Sequence, residues 1–352
     1  MLSHVSRRYD DAFLDPFRQR GDELADAALL ELRGAGDLVT RLERGAGAGA
    51  VACRRLLDHV REVPSWVDFA RMQSGHVRAR QFALHAGLAL LVGSLAESYA
   101  SASGAKVLVR SGRLDRDTPR RVYETAVFVH SIGMPGGPRP GTPAHRRIVQ
   151  TRLIHAAIRH GMQKRSDWNP AWGLPVNQED YASTLLMLSL VFVRSLRRLG
   201  VPFSTAEADA VHHGWRYVGW VMGVDEALLS RDLEDETALY QAITRRQFEP
   251  DDDSRTLVAA LLDTMSGRSP IYLPRGVLAA AARRVLGDRL ADALAIAPPR
   301  GWQSILTPLS IAGRLAGPLF AAVPAAGRAA ESLGAYIAEQ SLRGFEVTGS
   351  HS

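Results

Sequence analysis

Cysteine is almost absent: Cys53 is the only one in 352 residues. That excludes a disulfide framework, a thiolate zinc centre and a CxxCH attachment site. A cysteine ligand to a haem iron would belong in a Gly-rich loop near the C-terminal end, whereas Cys53 is early and precedes Arg54-Arg55. It reads as a small buried hydrophobe. Lysine is scarce too, with Lys106 and Lys164 alone among 43 basic residues. The net charge of +6 is therefore carried by arginine in a chain rich in Ala, Gly and Leu. RNA-binding surfaces interleave aromatics with their arginines, and no such stretch occurs, so no nucleic-acid partner is expected.

Long apolar runs are missing as well. Phe82–Leu95 (FALHAGLALLVGSL) falls short of the ~20 residues a bilayer span needs and carries His85, so it reads as a core helix. The Arg pair near the N-terminus is not followed by an apolar stretch, and the expectation is a cytoplasmic protein. The apolar segment ILTPLSIAGRLAGPLFAAVP at 305–324 is broken by Pro308, Arg314, Pro318 and Pro324. A buried, kinked helical hairpin is expected there in preference to a segment lying on a membrane.

Strand alternation is nearly absent, and helical periodicity fills the gap. Apolar residues recur at helical spacing near 21–33, 51–60, 78–98, 119–131, 143–163, 180–199, 205–222, 235–247, 254–266, 275–286 and 331–343. VYETAVFV at 122–129 could alternate as a strand, but Arg121, Thr125 and Phe128 also share one helical face. Ser204-Thr-Ala-Glu207 has the form of a helix start. SIGMPGGPRPGTP at 131–143 predicts a loop, and the Gly/Ala-rich stretch at 44–50 a loose connector. The fold class predicted is all-α: an N-terminal arm (1–20), one large helical domain (21–340) and a C-terminal tail (341–352). Common catalytic patterns drop out. GAGAGA does not follow a buried strand as a dinucleotide loop must, and Ser103-Gly-Ala-Lys106 has SxxK spacing without any companion motif. P-loop, HExxH and paired Glu-x-x-His motifs do not occur.

What remains is QTRLIHAAIRHG at 150–161. Arg152, His155 and Arg159 fall on one stripe of a helix whose other positions, Leu153, Ile154, Ala156, Ala157 and Ile158, suit a core. A neutral imidazole in an apolar helix suits an axial haem ligand, and haem propionates would meet the arginines. Alternatively, the two guanidiniums reach Asp or Glu on a neighbouring helix. Of His212 and His213 in VHHGWRYVGWVMG, one is expected to face the core as a structural imidazole bonded to a carbonyl.

Arg152-Leu-Ile-His155-Ala-Ala-Ile-Arg159 resembles the R-x-x-H-x-x-x-R motif of the latex-clearing proteins, the bacterial rubber oxygenases. The same catalytic domain occurs in the membrane-bound oxygenase of mycophenolic acid biosynthesis. Upstream, Arg121-Val-Tyr-Glu124-Thr125 resembles that family's distal R-x-x-K-T element, and GAKVLVRSGRL (104–114) and GWRYVGWVMGVDEALL (214–229) have the family's look. The resemblance spans roughly residues 65–265. It implies a globin-like helical core, haem b, and use of O2 on an apolar substrate, with cleavage of an isoprenoid C=C bond in the rubber-cleaving members. His155 would be the proximal iron ligand, and Arg152 and Arg159 would fix propionates or the surrounding helices. Arg121 and Thr125 would face the distal pocket, near Phe128.

Glu124 departs from the family, standing where the rubber-cleaving relatives carry Lys. It either points away from the haem or acts as a base, with Glu97 in SLAESYA as the other carboxylate candidate. Without an export signal, a small isoprenoid, lipid or secondary metabolite is expected in place of solid rubber. Two rival readings are a haem-binding sensor or carrier without turnover and a haem-free helical interaction protein.

Overall fold

A computed structural model describes residues 8–111, 118–268, 272–298 and 301–349. Residues 1–7 of the arm, 350–352 of the tail and the last three residues of the 104–114 segment lie outside these. Among the described residues no strand forms; Ser101 and Phe248 make one isolated antiparallel bridge.

The chain opens with four short helices, α1 (Asp11–Arg18), α2 (Glu23–Glu31), α3 (Leu38–Gly47) and α4 (Val51–Arg61). Asp10, Asp22 and Asp37 cap the first three, each accepting from a first-turn amide, an arrangement worth ~1 kcal/mol per helix. α3 runs through Arg44-Gly-Ala-Gly47, so the expected loose connector is mostly helix. Its apolar face, Val39, Leu42 and Ala46, is buried, and that packing overrides the low propensity of glycine.

The predicted single helix over 78–98 is broken in two. α5 (Phe69–Gln81) ends at Phe82, whose φ of −119° and ψ of 46° are not helical. The chain then turns by 100° into α6 (Ala83–Leu88), a π-helical segment (Ala89–Leu95) and the single turn α7 (Ala96–Ser98). α8 (Ala102–Arg110) and α9 (Thr118–Gly133) follow, so residues 122–129 are helical and not a strand. α10 (Pro143–Met162) starts with Pro143 in its first turn and the Thr142 hydroxyl capping His145 N–H. The predicted helix at 180–199 is a composite: α11 (Gln178–Leu186), a second π-helical segment (Met187–Val191) and α12 (Phe192–Arg198). The two π segments pack on one another. α13 (Thr205–Met222) begins with the capping box of Ser204 and Glu207. It ends on Gly223 at φ 78°, a left-handed position with no room for a side chain because Arg152 lies against it.

α14 (Leu233–Gln247), α15 (Asp252–Met265), α16 (Arg275–Leu286) and α17 (Asp288–Ala293) complete the core, and Cys53 is fully buried within it as expected. α18 (Gln303–Ala322) and α19 (Pro324–Gly349) then fold against each other. Here the expectation of a buried hairpin fails. Leu315 is 71% exposed, and Ile305, Ile311 and Leu319 about half, because α18 turns its small residues inward. α19 continues through the residue-340 boundary to Gly349.

Candidate active site

α10 carries the stripe. Arg152 is 1% exposed and bidentate to Asp22, with Nε to Oδ2 at 2.6 Å and Nη2 to Oδ1 at 2.8 Å. Its Nη1 donates to the Val221 carbonyl at 2.9 Å. Arg159, equally buried, forks onto Asp26 at 2.8–3.0 Å and donates to the Val176 carbonyl at 2.6 Å. The anions these guanidiniums need are thus aspartates on α2. The expectation that they meet haem propionates gives way to its alternative, a role in fixing the helices. A buried guanidinium must be matched by a carboxylate in place, and the cap residue of α2 supplies one.

Between them, His155 faces inward without a partner: its Nδ1 is buried and makes no hydrogen bond among the described residues. The Tyr181 ring of α11 lies 5.4 Å away, tilted by 31°, and the Tyr181 hydroxyl faces the Arg159 guanidinium. Burial first, then the Arg159 charge, lower the His155 pKa to about 4. The imidazole is neutral at pH 7 and its lone pair is available.

Most other buried imidazoles are satisfied. His145 bonds the Val60 carbonyl at 2.6 Å, His85 that of Leu309 at 3.2 Å, and His59 that of Trp220 at 3.2 Å. His212 bonds the Ser230 hydroxyl at 3.0 Å and His213 accepts from Asp68 N–H at 2.9 Å, partners other than the expected carbonyl. Apart from His155, the buried imidazole nitrogen left without a partner among the described residues is His76 Nε2 on α5. His76 lines a cavity of about 250 Å³, and burial lowers its pKa to about 4. The sequence reading passed over it, for lack of any motif around it.

The cavity lies between α5, α6, the first π segment, α9, α13 and α19, with a wall of Leu90, Leu91, Val122, Trp215 and similar residues. Polar groups are few, His76, His130, Arg80 and Arg268 among them. α9 lines it with Val122, Ala126, Val129, His130 and Gly133, one helical stripe. Arg121 and Thr125 are half-buried and sit one residue round the helix from that stripe. Arg121 hydrogen-bonds Tyr99, whose own pKa burial pushes up. Phe128 packs on Trp215 with ring centroids 6.3 Å apart. α9 packs against α10, so the structure brings the helix of Arg121 and Thr125 alongside that of His155.

The two carboxylate candidates are placed differently. Glu124 is half exposed and pairs with Arg120 one turn back at 3.0 Å, on the outer side of α9, against the expectation of a base in the pocket. Glu97 is buried, but both oxygens are taken, one by Arg194 and the other by the Tyr240 hydroxyl at 2.5 Å. Tyr240 and Arg194 also bond each other at 2.9 Å, closing a triad that clamps α7, α12 and α14 together.

A carboxylate that sequence reasoning missed, Glu236, lines a second chamber of about 20 Å³ with His212, Ser230, Arg216 and Trp215. Trp215 borders both spaces. Ser189, inside the second π segment, contacts Glu236 and also the Leu185 carbonyl at 2.8 Å. The Ser189 hydroxyl donates to Glu236, which also accepts from the Leu190 N–H. Burial outweighs both and raises the Glu236 pKa to about 7.

A profile of the family described as "ER-bound oxygenase mpaB/B'/Rubber oxygenase, catalytic domain" matches residues 75–317. The chain is 24% identical over 247 residues to a rubber oxygenase of Streptomyces sp. (strain K30); the match covers 69% of this chain and 60% of the relative's length. It superposes on a structure of the latex clearing protein LCP in the closed state with a TM-score of 0.67 and 21% identity, covering 98% of this chain and 95% of that one. The likeness extends to the fold as a whole, an all-α one.

Proposed function

Since the chain belongs to the family of ER-bound mpaB/B' and rubber oxygenase catalytic domains, we propose that it is a haem b-dependent oxygenase that uses O2 on an unsaturated apolar substrate, isoprenoid- or lipid-like. Its proposed reaction is oxidative cleavage of a C=C bond, both atoms of O2 ending in the two carbonyl products.

His155 is the observation that carries this reading. Its imidazole is neutral, oriented by packing on Tyr181, and lacks a partner at Nδ1. A buried nitrogen left unpaired costs ~1–3 kcal/mol, which a group bonded at Nδ1 itself would remove. Among the described residues no three His, Cys, Asp or Glu side chains converge on a point. An iron that brings four porphyrin nitrogens needs only one imidazole from the protein, and His155 is the one offered for it, although it lines neither of the two chambers. When bound, haem would supply the site for O2 binding and activation.

The protein's own residues do the rest. Arg152 and Arg159 tie α10 to α2 and so hold the His155 ring in place. Arg121 and Thr125 sit about 100° round α9 from the stripe that lines the cavity, so their expected part in stabilising developing negative charge requires α9 to turn toward the bound group. The cavity wall excludes water and selects hydrocarbon over charged substrates. With Glu124 outside and Glu97 tied up, neither is assigned as a base.

Purified protein, reconstituted with haemin if needed, should show a Soret band and a b-type pyridine haemochrome. His155→Ala should retain on the order of a tenth of the wild-type haem or less, as expected for loss of the one axial ligand. Undiminished haem in His155→Ala, or a wild type that takes up none, would refute the assignment. Product analysis on prenyl and unsaturated fatty substrates then identifies the bond attacked.

A further inference from the structure

α18 is built inside out. Its large apolar residues, Ile305, Ile311, Leu315 and Leu319, face outward together with Pro308 and Pro318, at spacings of three and four residues. The inward side carries Leu306, Ser310, Gly313 and Gly317. Small residues there let the helix backbone approach the 200–202 turn: a Cβ on Gly317 would meet Pro202 Cγ at 2.0 Å. A helix of a water-soluble surface buries its large residues and shows its small and polar ones. The exposed stripe continues through Val323 to Leu333 and Tyr336 on α19, and none of the described residues covers it.

The charges on this face are of one sign. Between Gln303 and Val323 the sole charged residue is Arg314, and Arg328 follows on α19; both are exposed and neither meets a carboxylate among the described residues. The two nearby acids on α19 are already matched, Glu331 by Arg80 and Glu339 by Arg343. Apolar side chains edged by unpaired arginines and a tyrosine form the pattern that lies in a membrane interface, with the guanidiniums reaching back to headgroups. The helix Ser304–Ala322 has a mean hydropathy of 1.3, enough for a span, yet Leu306, Ser310, Gly313 and Gly317 anchor it to the body, so it lies along a surface and does not cross. A second copy fits this face less well, because a two-fold contact through α18 would cover Arg314 with no acid on that helix to receive it.

We propose that the α18–α19 hairpin docks on the surface of an anionic lipid bilayer and faces the cavity toward it. α19 is one helix thick. Leu333 and Tyr336 are on its outer side, while Gly334, Ile337, Ala338 and Ser341 line the cavity. An apolar molecule dissolved in the bilayer would therefore enter past α19 without crossing water. This second half rests on the oxygenase reading; docking does not.

Docking is measured by flotation with vesicles of phosphatidylcholine plus phosphatidylglycerol, without substrate. The wild type should float with them and bind less as salt rises. Leu315→Glu/Leu319→Glu should lower the partition coefficient by on the order of tenfold or more, with an unchanged circular dichroism spectrum and melting curve. Arg314→Gln and Arg328→Gln should each lower it about fivefold on anionic vesicles and hardly at all on pure phosphatidylcholine. A wild type that stays in solution, a double-Glu variant that floats as well as wild type, or a dimer by light scattering that the double-Glu change dissolves would each overturn the docking. Delivery is read as turnover of vesicle-embedded substrate, which the double-Glu variant should lose while keeping turnover of a detergent-dispersed one. Equal loss on both overturns the delivery route. Floating protein that turns over neither leaves docking standing and overturns the oxygenase reading together with the delivery that rests on it.

Discussion

Asp22→Asn removes one negative charge from the core and little else. Asn caps a helix as well as Asp, so the bond to Ala25 N–H survives and the change isolates the pairing with Arg152. The guanidinium, 1% exposed, is then left uncompensated beside an amide. Breaking a buried pair from one side costs ~3–5 kcal/mol, and at about 2 °C per kcal/mol for a chain of this size the melting temperature should fall by roughly 6–10 °C. Arg152→Met strands the carboxylate and should cost a similar amount. Asp22→Asn/Arg152→Met removes both charges, so it should lose about 2–3 kcal/mol less than the sum of the single changes. Urea titrations followed by circular dichroism supply all four corners of the cycle. If Asp22→Asn unfolds within about 1 kcal/mol of wild type, or the double change equals the sum, the pair does not hold α10 to α2 and the account of the stripe fails.

Two further outcomes follow from the same physics. Burial raises the folded pKa of Glu236 to about 7, so its contribution is full below the unfolded value and is lost as pH rises through 7. Glu236→Gln should flatten the stability profile between pH 5 and 8, and a slope that persists there in urea titrations assigns the proton elsewhere. Gly223→Ala places a Cβ 2.3 Å from Arg152 Nη2 at a φ of 78°, and should lower stability by on the order of 2–4 kcal/mol in the same assay. A near-neutral result would mean that the end of α13 has room to shift.

Helix positions were largely legible in the chain because amphipathic periodicity is local: α10, α13 and α14 lie within a few residues of where apolar spacing puts them. The functional stripe was legible for the same reason, since Arg152, His155 and Arg159 need only one helix to align. Their counter-charges were not, because Asp22 and Asp26 lie 130 and 133 residues away and meet the arginines only through packing. Phe82–Leu95 looks uniform as text, and neither the 100° elbow nor the π segment leaves a Pro or Gly pair to mark it. His76 and Glu236 acquire their character from what surrounds them in space. α18 misled for the opposite reason: apolar composition reads as burial, while its small residues in fact take the inner face.

The two wide turns, at 89–95 and 187–191, each admit an additional residue to a helix that otherwise continues. Everything downstream is thereby clocked about 100° round the axis. Arg194 reaches Glu97 with that offset in place, and a helical wheel drawn straight from 178 to 198 would aim it elsewhere. A one-codon deletion there would leave a regular, well-bonded rod and still uncouple α12 from α7. In these two stretches, residue count outranks residue identity: substitutions are the milder class of change, and frame-preserving indels the severe one.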